Sequence, residues 1–317
     1  MSPTPPGPKL SAWLVAAILA IVAIPAGITL HTVRVPATIS IPVPNPTPYG
    51  YTVSLLLFLV PILVIGLWLI PAEGVEIPKR AFWITIAILG PLGCSLDFFF
   101  ASRFFTFPNH GATLGIDTPV VGGSVPIEEY VFYFSGFVAV LLIYLWLNEY
   151  WLAAYSVPDY KGESRQIRRI LRFHPASLAA GIALIAAAVL YRRFVSHDPT
   201  GFPAYFTFLV LGAMVPSASL FHSAQRLINW RAFSLTIFMI LLISMFWEAT
   251  LAVPYGWWGF QSSQMIGVFI GAWAGLPVEE VFVWIAVTYA TTIVFETVKI
   301  CLASERTVRD TLLGNSQ

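Results

Sequence analysis

Eight runs of about 20 apolar residues, divided by short joins that are polar or rich in Pro and Gly, decide what this chain can fold into. They fall at 10–31, 52–70, 81–100, 126–147, 176–194, 204–221, 232–251 and 277–298. As a helix, each is long enough to cross the roughly 30 Å hydrocarbon layer of a bilayer. With no water there to pair with, backbone must satisfy its own hydrogen bonds, and a helix does so. Only 10% of the 317 residues are charged and 57% are hydrophobic, against roughly 25% charged in a soluble domain. The expected fold class is therefore all-α, a polytopic membrane bundle of about eight helices. The first run follows Lys9 and has some features of a secretory signal. Its length, and a counterpart later in the chain, favour a retained helix.

Several function classes drop out early. A net charge of +1 gives no electrostatic reason for a nucleic-acid partner. Cys94 and Cys301 lie in different apolar runs and suggest no disulfide or metal centre, only small buried hydrophobes. His110, Asn109, His222, Gln225 and Asn229 sit in connections without metal-ligand spacing. There is no Gly-rich dinucleotide fingerprint and no P-loop. No cofactor is expected, and any chemistry should be redox-neutral.

A shift of 151 positions lays the second half of the chain on the first. Arg80-Ala81-Phe82 falls on Arg231-Ala232-Phe233, Thr85-Ile86 on Thr236-Ile237, and Asp97 on Glu248. Pro126-Ile127-Glu128-Glu129 falls on Pro277-Val278-Glu279-Glu280, and Gly50 on Gly201. One offset held through an acid, a proline and a glutamate pair reads as tandem duplication of a four-helix unit. An even number of spans gives both units the same orientation. The expected divisions are 1–48 (tail, first helix and linker), 49–150 (first repeat), 151–200 (cytoplasmic loop and linking helix), 201–300 (second repeat) and 301–317 (cytoplasmic tail).

Cations in the connections set the orientation. Thirteen Lys and Arg residues lie on one side, and four (Arg34, Arg103, Arg192 and Arg193) on the other. This bias puts both termini in the cytoplasm, and Asp97 and Glu248 at the depth of the two glutamate pairs. The stretch Met265–Ala274 before Pro277 is too long to join one straight span, so the last helix should have a kinked or re-entrant start.

Ionisable residues in membrane spans are functional candidates. Pro suits the first turn of a helix, so Glu128, Glu129, Glu279 and Glu280 are expected in first turns. There the helix dipole favours a carboxylate by at most about 2 kcal/mol, while burial and a neighbouring acid favour the neutral form more strongly. In a dry site one acid of each cluster then keeps its proton beside a base, as acid–base chemistry requires. Adjacent helical residues point about 100° apart, so the members of each pair meet different neighbours. Tyr133 follows Glu129 by one turn, and Trp284 follows Glu280. Phe98, Phe99, Phe100, Phe132, Trp247, Tyr255, Trp257, Trp258 and Trp273 supply either packing or a π-lined pocket that stabilises a cation. A helix cap or interhelical contact needs one acid, whereas each site has three.

At these residues the chain resembles the membrane-integral lycopene cyclases, the heterodimeric or fused enzymes of bacteria and archaea and the cyclase part of bifunctional fungal enzymes. Their hallmark is a three-helix domain ending in Pro-x-Glu-Glu, present twice. The match covers about 50–147 and 204–298, and each four-helix unit would be one such domain with one leading helix. The resemblance implies a carotenoid cyclase, most simply a lycopene cyclase forming β rings, that closes the ψ ends of a linear carotene such as lycopene or γ-carotene. An acid protonates the terminal double bond, the neighbouring double bond attacks the tertiary cation, and a base removes a proton. Glu128, Glu129, Glu279 and Glu280 would be the acid–base residues, tuned by Asp97 and Glu248, in one composite site between the halves. Phe132, Tyr133, Trp247 and Trp284, with Pro126 and Pro277, would line it for substrate. The implied setting is the plasma membrane, with membrane lipid as the substrate's solvent.

Two rival readings come from other classes. A proton-coupled transporter also suits parallel repeats with buried acids, but it calls for matched helix breaks and a polar path, and only the second half shows a break in sequence. An intramembrane prenyl-protein protease would follow its glutamates with an Arg, where this chain has Tyr130–Tyr133 and Val281–Trp284. A cyclase of a longer or modified carotene shares both fold and chemistry with the main reading.

Overall fold

The computed structural model describes residues 45–314, together with Ala20. The expected first helix at 10–31 lies outside the described residues but for Ala20. Among those described, seven helices are long and apolar enough to cross a membrane: α1 (Gly50–Ala72), α2 (Lys79–Phe104), α3 (Glu128–Trp151), α5 (Pro175–Phe194), α6 (Ala204–Ala224), α7 (Trp230–Ala252) and α8 (Glu279–Ala303). Two short helices, α4 (Tyr160–Gln166) and α9 (Val308–Leu313), lie outside the spans. The chain is an all-α polytopic bundle. α3 is its most enclosed span, with 67% of its apolar window buried, and α5 the least, with 17%. The central helices are thus α3, α7 and α8.

Three small β pairs cap one end. β2 (Asp117–Val120) and β3 (Gly123–Pro126) form a hairpin directly before α3. β5 (Phe269–Ile270) and β6 (Leu276–Pro277) form one directly before α8. β1 (Phe105–Thr106), which leaves α2, pairs antiparallel with β4 (Gly259–Phe260), which follows α7. The Met265–Ala274 stretch is therefore the first strand and turn of a hairpin. The first half has the same kind of break before α3, which its sequence did not signal. Pro126 and Pro277 lie outside the first helical turns in which the sequence places them. They end strands, one residue intervenes, and the helices begin at Glu128 and Glu279. A proline cannot extend a central ladder, so a strand end suits it.

Local features recur near the 151 offset. Thr85 Oγ1 donates to the Ala81 carbonyl and Thr236 Oγ1 to the Ala232 carbonyl, both at 2.8 Å. Gly115 (φ 73°) and Gly267 (φ 92°) turn the chain into the two hairpins through the left-handed region, which a side chain disfavours.

Two cations expected in connections are inside the protein. Arg192 is 2% exposed. Its Nη1 donates to the carbonyls of Ser262 and Met265, both at 2.9 Å, and its Nη2 pairs with Asp198 at 3.0 Å. Lys299 is 4% exposed because α8 continues to Ala303. Removing one residue from each side leaves the cation bias at twelve against three.

Candidate functional site

The two hairpins split each glutamate pair between two tasks. Glu128 Oε1 accepts the Leu114 backbone N–H at 2.8 Å and the Thr52 hydroxyl. Glu279 Oε1 accepts the Ile266 backbone N–H. These outer acids tie the start of each hairpin to the start of the helix that follows it. The inner acids, Glu129 and Glu280, sit 100° round the helix and face a shared cavity between the halves of the chain.

That cavity holds about 60 Å³. Three carboxyls reach it: Glu129, Glu248 and Glu280. No Lys, Arg or His is among its lining residues. Its walls are aromatic. The Trp247 and Trp258 rings lie 4.7 Å apart, Phe132 and Trp247 5.4 Å, and Phe132 and Trp284 5.5 Å. Tyr51 stands 5.0 Å from Trp258 and donates its hydroxyl hydrogen bond to Glu129 Oε1. Glu248 starts a π-helical turn at the end of α7, a distortion that re-aims a side chain and is frequent at functional sites. The Trp284 indole N–H donates to Glu248 Oε1 at 2.8 Å. Glu280 has Glu248 and Tyr205 as neighbours, and its Oε1 is buried without a hydrogen-bond partner among the described residues.

Of the candidate residues, the structure thus brings Glu129, Glu280, Glu248, Phe132, Tyr133, Trp247 and Trp284 to one cavity. It leaves Glu128, Glu279, Pro126 and Pro277 behind it in the hairpin joints. Asp97 is 1% exposed, lies near Glu129 and does not line the cavity. Trp284, expected beside Glu280, bonds to Glu248 instead. Phe98 and Phe99 are exposed on α2, where lipid is their solvent. Sequence reasoning missed Tyr51 and Tyr205. They stand 154 positions apart, one helical turn off the common offset.

A second buried polar group lies at the other end of α8. Glu296 and Lys299 pair at 3.0 Å, and the Tyr144 hydroxyl donates to Glu296 Oε1 at 3.0 Å. At about 1.5 Å per residue, Glu296 is roughly 24 Å from Glu280 along the helix, too far to share its chemistry.

No protein-family model, curated protein or solved structure matches this chain.

Proposed function

We propose that this protein is a carotenoid cyclase of the lycopene cyclase kind, built from two tandem four-helix units in parallel orientation. It would sit in the plasma membrane with both termini cytoplasmic. The observation that carries the reading is the convergence of Glu129, Glu248 and Glu280 on one aromatic-walled cavity without a cation. Proton-initiated ring closure needs a neutral acid, a base, π faces around a carbocation and little water. Carboxyls buried away from positive charge cannot all ionise, so protons are retained there.

The hydrogen bonds suggest how the roles divide. An indole N–H is donor-only, so Trp284 fixes Glu248 as an acceptor. The Tyr51 hydroxyl, which can both give and take a hydrogen bond, pairs with Glu129 Oε1 and so can follow Glu129 through a change of protonation. Glu280 and Glu248 are neighbours and each keeps one bare oxygen, so they can share one proton, which this reading places on Glu280. In this mechanism Glu280 protonates the terminal double bond, the ring closes on the tertiary cation, and Glu129 takes the proton that leaves. One proton is given and one taken, so the reaction is an isomerisation. The aromatic rings stabilise the cation without attacking it.

The direct test is expression in a bacterial host that accumulates lycopene. Cyclic carotenes are the expected product, and the isomer formed reports where the proton is lost. Trp284→Phe keeps the ring and deletes the donor to Glu248. Losing a hydrogen bond to a charged group costs about 1.5–3 kcal/mol, so turnover should fall roughly 10–100-fold with the protein still folded in the membrane. Unchanged turnover would remove Glu248 from the mechanism.

One observation favours a proton-coupled transporter instead: both halves break before the acid-bearing helix, the matched pattern that transporters use. Untouched lycopene, together with proton uptake driven by some solute in proteoliposomes, would put that reading first.

A further inference from the structure

A cleft away from the acids lies where the chain folds back after α4. It holds about 150 Å³ and runs between the 163–172 segment and the end of α6. The end of α6 borders it, and Arg172 stands three residues before α5, so the cleft lies at the level where spans leave the hydrocarbon layer. Its floor is fixed. The Arg172 backbone N–H donates to the Ser219 carbonyl at 3.0 Å, the Ile170 N–H to the Thr311 carbonyl at 3.0 Å, and Ser223 Oγ to the Ile170 carbonyl at 3.0 Å.

The cleft is rich in donors. Arg172, Arg226, His222 and Gln166 line it. Two nearby cations are engaged elsewhere: Arg165 pairs with Glu305, and Arg306 donates to the carbonyls of Arg165, Ile167 and Arg168, while Arg168 and Arg169 lie outside the cleft lining. Arg172 and Arg226 are in none of the ion pairs among the described residues. Two free guanidinium groups facing one cavity suit a phosphate, which each can grip through paired N–H groups. The next residue, Phe173, is 68% exposed, and aromatic side chains favour the membrane interface. One carboxylate, Glu163, shares the cleft. It would repel a bare phosphate but accept hydrogen bonds from hydroxyls attached to one.

We propose that this cleft binds the headgroup of an anionic phospholipid, with its phosphate between Arg172 and Arg226 and headgroup hydroxyls on Glu163. Phosphatidylglycerol has the required chemistry. The site is independent of the acids between the halves, and its test does not depend on what the protein acts on.

Native mass spectrometry of the purified full chain measures this directly, with phosphatidylglycerol, phosphatidic acid, phosphatidylcholine or inorganic phosphate added. The expected result is one tightly retained phosphatidylglycerol, preferred about tenfold or more over phosphatidylcholine. R172Q/R226Q should lose that preference. R168Q/R169Q, with the same charge loss outside the cleft, should keep it. Glu163→Leu, which neither repels a bare phosphate nor accepts from a hydroxyl, should erase the preference for phosphatidylglycerol over phosphatidic acid. The proposal is overturned if R172Q/R226Q binds as the parent does, if R168Q/R169Q loses the preference equally, or if inorganic phosphate displaces the lipid at equal concentration.

Discussion

Glu129→Gln and Glu280→Gln, made singly, should each abolish cyclic carotene in the lycopene host, while Glu128→Gln and Glu279→Gln should keep most of it. The contrast follows from the split of each pair. A positioned general acid or base contributes about 10²–10⁴ in rate, and glutamine can neither give nor take the proton. Loss at either inner position should therefore exceed 100-fold. At the outer positions the carboxylate accepts a backbone N–H from Leu114 or Ile266. A glutamine carbonyl oxygen accepts the same bond, so activity should stay within about tenfold and the loss should appear in stability, at about 1–3 kcal/mol. Pigment yield divided by folded protein separates the two effects. Equal loss at inner and outer positions would sink the split. Normal turnover in either inner variant would sink the single composite site.

Much of this site was legible in the sequence, and what was not has identifiable causes. The paired glutamates and the upstream acids stood out because one offset carried them all. Which member of each pair faces inward did not, because 100° of helix rotation is set by the hairpin that delivers the helix. The hairpins themselves were hidden. Strands of two to four residues are too short for an alternating pattern, and Phe269–Ile270 reads as more apolar span. Tyr51 and Tyr205 escaped because α1 and α6 slip by one turn relative to the common offset. Three residues of slip keep the same helix face, so a search tolerant of one turn would have found both. Lys299 reads as a flanking cation because the apolar run fades at Val298. Only the packing of α3 and α4 against α8 reveals that the helix continues and buries it.

That buried lysine carries the second large effect. Lys299→Met should destabilise the protein by about 3–5 kcal/mol, because it leaves Glu296 fully enclosed without its cation. Glu296 is 0% exposed, and only the Tyr144 hydroxyl would remain to it. The lysine also holds its ammonium 4.7 Å from the Tyr160 ring, so its loss loosens α4 from α8. The double variant Glu296→Leu/Lys299→Met should recover most of the loss, since replacing a buried ion pair by apolar groups is often neutral or better. Tyr144 keeps a partner in that case through the Asn229 backbone N–H, which it accepts at 3.2 Å. Thermal midpoints in detergent read all three variants. A single Lys299→Met as stable as the parent would mean that Glu296 is already neutral and the pair is a plain hydrogen bond. Cyclisation per folded molecule should be unchanged in the double variant, because roughly 24 Å of helix separates this pair from Glu280. A fall in that ratio would instead make the pair part of the route by which protons return to the acid.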